Sequence, residues 1–238
     1  DVIAYRQAID ERLADLDGSS KLTPEILAAL ELGKNHEEQH QELLLTDMKH
    51  LLGENPLAPS YVRAQGTPSK RAPHVESPAA SPLAWHRFDG GVVSIGVDTA
   101  STAFSFDNEQ PRHRVFLEPF EIASRLVTCA EYTLFIEDRG YERPELWLSE
   151  GWAWVNANSA SPARAPMYWD LPKREIFTLH GKRAIRASEP VCHVTYFEAD
   201  AFARWAGARL PREAEWEVAA ESAVARNAPR GAFIEDAV

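Results

Sequence analysis

The sequence predicts an α+β chain in two unlike parts: a partial N-terminal helical bundle, then a domain of short helices and strands joined by long loops. Apolar residues three and four apart fill the first fifty positions. A run of prolines follows. The remainder is rich in tryptophan, glycine and irregular spacing, and holds six of the seven tryptophans from Trp147 onward.

In residues 1–17, Ile3, Ala4, Ile9, Leu13 and Leu16 recur at helical spacing, and Gly18-Ser19-Ser20 closes the segment. Thr23 is a natural N-cap, with Pro24 at the first helical position and Glu25 in the first turn. From there no proline interrupts the chain before Pro56. One helix of about 28 residues, roughly 40 Å long, is expected, ending at Gly53 and Pro56. Two helices are too few for a bundle, so further helices are expected upstream of Asp1, and the chain, which lacks an initiator Met, is expected to be processed or part of something longer. Prolines 56, 59, 68, 73, 78 and 82 mark residues 56–84 as a linker. Beyond it, Gly90–Gly96 reads as a short strand between glycines and His113–Leu117 as another, and Thr128–Asp138 and Glu198–Gly207 as short helices. No internal repeat stands out.

Composition narrows the function. Hydrophobic residues make up 45% and charged residues 26%, ordinary globular usage. The net charge of −11 opposes binding to nucleic acid or to anionic membranes, both of which require a basic face. No apolar run is long enough to span a bilayer, and no secretory signal opens the chain. Cys129 and Cys192 cannot build a disulfide framework, so reduced, buried thiols in a cytoplasmic protein are expected.

The sharpest chemical signal is the run His36-Glu37-Glu38-Gln39-His40-Gln41-Glu42. At about 100° per residue, His36 and His40 share one helix face, where two imidazoles can hold one Zn, Cu, Fe or Ni ion. Two surface histidines at this spacing also arise by chance. Glu42 is about 200° round from His40 and is expected to support rather than ligate. His50 lies about 15 Å further along the axis. The run also fits His-Glu-x-x-His, the pattern of zinc proteases, but the linker offers neither a third ligand nor a cleft.

Glu189 to Glu217, containing Pro190-Val191-Cys192-His193-Val194-Thr195 and Gly207-Ala208-Arg209-Leu210-Pro211-Arg212-Glu213-Ala214-Glu215-Trp216, closely resembles the signature of the formylglycine-generating-enzyme-like, C-type-lectin-related fold. Phe106–Val115 and Arg125–Tyr132 resemble earlier blocks of that domain. The pattern of His36, His40 and Glu42 resembles the iron-binding motif of a DinB-like bundle. In this order, bundle then lectin-like domain, the chain resembles the iron-dependent sulfoxide synthases of ergothioneine biosynthesis. The implied domains are a DinB-like segment over 1–55, the linker over 56–84 and a partial lectin-like domain over 85–238.

The resemblance implies a non-haem Fe(2+) enzyme that uses O₂ to join the sulfur of γ-glutamylcysteine, or cysteine, to the imidazole of hercynine, giving a sulfoxide. It implies His36 and His40 as metal ligands and Gln39 as a substrate-binding residue beside the hercynine ring. It places a third histidine on an earlier helix and a catalytic tyrosine beyond Val238, so residues 1–238 alone are expected to be inactive. His113, His193, Glu213, Glu215 and Trp216 are expected to be structural, and Trp147, Trp152, Trp154 and Trp169 to be mostly core. The alternatives are an ovothiol- or selenoneine-type synthase of the same class, or a non-catalytic lectin-like binding module.

Overall fold

A computed structural model describes residues 1–16, 22–62, 82–101, 103–157 and 164–225. Most of the expected linker, 63–81, lies outside the described residues. The chain divides into two compact units. One holds residues 1–48 and 96–112, the other residues 49–95 and 113–238.

The first unit is built on α1 (Val2–Leu16) and on α2 (Pro24–Glu54) as far as Met48. Thr23 caps α2 as expected, its hydroxyl accepting from the Ile26 N–H at 3.4 Å. An ion pair between Arg6 and Glu37, 3.8 Å apart, links the two helices. No residue of either helix is buried, and Leu27, Leu43 and Leu44 stand exposed. Residues 96–112 complete this unit with a single 3-10 turn at Asp107–Glu109, where the Glu109 carboxylate accepts from the Phe106 N–H at 2.7 Å.

The expected end of α2 is corrected. Gly53 lies inside the helix, which runs to Glu54. Within the second unit, a Cβ on Gly53 would stand 3.0 Å from the Tyr168 ring and 3.1 Å from Phe177. The glycine therefore permits a close approach rather than a stop, and Pro56 follows the true end.

The second unit mixes short strands and helices. Strand β1 (Trp85–Phe88) pairs antiparallel with β4 (Phe120–Ala123), and β2 (Gly91–Ile95) with β3 (His113–Leu117). A three-stranded sheet runs in the order β5 (Trp169–Asp170), β6 (Glu175–Thr178), β7 (Gly181–Ala184). Four helices complete it: α3 (Cys129–Glu137), α4 (Ser149–Ala157), α5 (Tyr196–Trp205) and α6 (Glu213–Ala225). Helices α3 and α5 match the apolar spacing that predicted them. Both start with a capping box. Thr128 and Glu131 exchange bonds at the start of α3, and Thr195 and Glu198 do so at α5.

The core sits between these helices. Tyr132, Phe135, Tyr141, Leu146, Trp147, Val155, Ala201 and Phe202 form one buried cluster. Tyr132 and Phe202 stack at 5.4 Å between centroids, and Phe135 meets Trp205 edge-on at 5.8 Å. The Tyr141 hydroxyl donates to Glu198 at 2.5 Å, so this buried carboxylate both caps α5 and satisfies a core phenol. Cys129, Trp169 and Ile176 form a second cluster.

The four tryptophans are mostly core as expected, and two other expectations about side chains need correction. Cys129 is buried, but Cys192 is exposed. Trp147 and Trp169 are core, whereas Trp154 is exposed. Glu215 is buried against Arg209 with two bonds of 2.7 Å, but Trp216, one residue on, turns outward at 61% exposure.

Candidate functional site

Helix α2 places His36 and His40 one turn apart, and their side chains meet. The two Nε2 atoms stand 3.2 Å apart, with ring centroids at 4.4 Å and planes inclined by 63°. Both residues are exposed. Proline-free helix on both sides fixes this register, and the i, i+4 spacing supplies the shared face.

That spacing tests whether the pair fits a metal ion. With metal–imidazole bonds of about 2.1 Å, nitrogens 3.2 Å apart subtend about 100° at the metal. That angle lies between the octahedral and tetrahedral values, so the two nitrogens can ligate one ion without moving the helix. In the neutral tautomers the same separation serves an N–H···N hydrogen bond. Among the described residues, no third histidine, cysteine, aspartate or glutamate completes the pair into a metal-holding group.

Gln39 lies on the same turn, exposed, immediately before His40. Glu42 is also exposed, and its carbonyl accepts from the Thr46 hydroxyl at 3.2 Å. His50 is not brought to the pair. In the second unit its Nδ1 stands 3.2 Å from the Tyr168 hydroxyl.

Sequence reasoning missed a second cluster, inside the second unit. Lys49 Nζ meets His193 Nε2 at 2.5 Å and lies 5.0 Å from the centre of the Tyr168 ring, which packs edge-on to His193. Burial holds the Lys49 ammonium below its ordinary pKa. Burial, and then the neighbouring Lys49, lower that of His193. His193 and Tyr168 both adopt left-handed backbone, φ +61° and +72°, a strain that no local motif announces. His113, the other histidine expected to be structural, stands exposed in β3, opposite Ile95.

The family model described as the sulfatase-modifying factor enzyme 1-like domain matches residues 77–232. A hercynine oxygenase of Mycolicibacterium thermoresistibile is 37% identical over 218 residues, covering 91% of this chain and 45% of that protein. A hercynine oxygenase of Mycobacterium tuberculosis is 42% identical over 125 residues, covering 52% of this chain and 29% of that protein. A formylglycine-generating enzyme of Streptomyces coelicolor is 32% identical over 187 residues, covering 68% of this chain and 55% of that protein. The chain thus spans less than half the length of the hercynine oxygenases it matches.

Proposed function

The chain belongs to the family of the sulfatase-modifying factor enzyme 1-like domain, and from that premise we propose that it is part of an Fe(2+)-dependent hercynine oxygenase. The reaction proposed uses O₂ to join the sulfur of γ-glutamylcysteine, or cysteine, to the imidazole of hercynine, giving a sulfoxide in ergothioneine biosynthesis. Residues 1–55 are then part of a DinB-like iron-binding bundle, 56–84 a linker, and 85–238 part of the domain that gives the family its name.

The observation that carries this proposal is the His36–His40 pair, with nitrogens 3.2 Å apart, in a chain similar to one hercynine oxygenase over 91% of its length. His36 and His40 would hold the iron as neutral imidazoles through Nε2. The chemistry iron supplies when bound is redox exchange with dioxygen and affinity for a thiolate. Gln39 would orient the hercynine ring. Its neutral amide both donates and accepts, whereas Glu37 or Glu38 in that role would favour a protonated ring and oppose bond formation at its carbon. The net charge of −11 speaks against nucleic acid as a partner, and among the described residues no helix is long and apolar enough to cross a membrane. A cytoplasmic enzyme of small-molecule substrates fits both facts.

The test is sulfoxide formation by the intact protein with Fe(2+), O₂, hercynine and either thiol. Iron-dependent product that disappears in His36→Ala and His40→Ala is expected. Absence of product with both thiols, or full activity in both variants, would overturn the assignment.

A further inference from the structure

The second unit contains a cavity of about 120 Å³ whose wall includes Lys49, Arg183, Arg186, Glu189, Cys192 and His193. Its charge is unusual for a chain of net charge −11: three cations face one carboxylate. Glu189 is divided between Arg183 at 2.6 Å and Arg186 at 3.1 Å. Among the described residues no carboxylate lies within ion-pair reach of Lys49, whose ammonium meets only an imidazole nitrogen and a phenol face. With Glu189 engaged by the two arginines, Lys49 is the cation that an entering anion would meet without a competing carboxylate. The space is roomy enough for a small polyatomic ion, and the donors present are those that bind oxygen anions.

We propose that this cavity binds a small oxyanion, the class that includes carboxylate, sulfate and inorganic phosphate. The anion accepts hydrogen bonds from Lys49 and from the arginine edge, with Glu189 holding the two guanidinium groups in place. Cys192, exposed on the same wall, reports occupancy. Cys129, on the same wall but buried, has its thiol pushed up to about 11, chiefly by burial, and so reacts slowly.

The experiment titrates the full chain with sodium phosphate, sulfate and acetate in separate arms against sodium chloride at matched ionic strength. Heat of binding and the rate of Cys192 alkylation by iodoacetamide, followed by peptide mass, are read together. Saturable binding and at least about threefold slower alkylation are expected, and the arm that saturates first identifies the ligand type. Lys49→Gln should weaken binding about tenfold, one neutralised charge-assisted bond. Glu189→Gln, which keeps an acceptor for the arginines, should tighten it. No protection beyond chloride in any arm, or equal binding in wild type and Lys49→Gln, overturns the site. Should Lys49→Gln fail to fold, the opposite-sign change in Glu189→Gln decides: tightening supports the site and unchanged affinity refutes it.

Discussion

Helices α1 and α2 bury no residue, while in the second unit Phe135 and Ala201 are wholly sealed and Tyr132 nearly so. The first region is held by helix propensity, caps at Asp1 and Thr23 and surface ion pairs that contribute little in water. The second is held by an aromatic cluster and by carboxylates that bond inward. The candidate ligands and the buried core therefore belong to different regions of the chain. The candidate ligands sit where side chains can be exchanged at small cost, and the rigid framework carries neither of them.

The sharpest way to break that contrast is in the core. Phe135→Ala should cost about 3–5 kcal/mol, since it empties a ring packed against Tyr132, Tyr141, Phe202 and Trp205. Leu44→Ala on α2, 62% exposed, should change stability by no more than about 0.5 kcal/mol. Urea unfolding of both variants measures the gap, and equal effects would erase the distinction between the regions.

Removing a ligand should do the reverse. His36→Ala should lower iron affinity more than about 100-fold, beyond the loss typical of residues that only support ligands. Its unfolding midpoint should stay close to wild type, because the side chain is exposed. Iron content after gel filtration, set beside the urea curve, separates the two effects.

Acid probes the framework again. The bonds from Arg125, reinforced by Thr128, hold the Glu131 carboxyl down to about 2. A depressed carboxylate pKa adds stability above the unfolded value, near 4.5, and that stability is lost as pH falls toward 2. Between pH 5 and 2 the wild type should lose on the order of 2 kcal/mol more than Glu131→Gln. Parallel stability–pH profiles for the two proteins would refute this.

The smallest effect is expected at Gln39. Gln39→Leu should leave iron content and stability unchanged and cost about 0.5–1.5 kcal/mol in kcat/KM for hercynine, roughly two- to tenfold. Loss of iron instead would move Gln39 from the substrate to the support of the ligands.

Much of this was legible in the chain. The spacing of His36 and His40 sufficed to bring their nitrogens together, because helix geometry is local. The Thr23-Pro24 start, a strand within 90–96 and the strand at 113–117 were legible from local spacing too. What escaped depends on partners distant in sequence. Gly53 lies inside the helix where the Tyr168 and Phe177 rings leave little room for a Cβ, a packing set by residues far along the chain. Cys192 is exposed, although thiols are usually buried, because the chain leaves its pairing with Val127 just before it and turns at His193. Strands β5 to β7 are at most four residues long, too short for a period to declare itself.

Three glutamates deserve comparison with stitches in cloth. Glu131 ties the start of α3 to Arg125, Glu198 ties α5 to Tyr141, and Glu215 ties the Arg212 N–H before α6 to Arg209. A fabric fastened at three points can lengthen freely between them, since added loop costs only about 0.6 kcal/mol per doubling. Insertions grafted into the surface turns between these seams should leave the weave intact, whereas a one-residue shift of any seam should cost its helix a cap, about 0.5–2 kcal/mol.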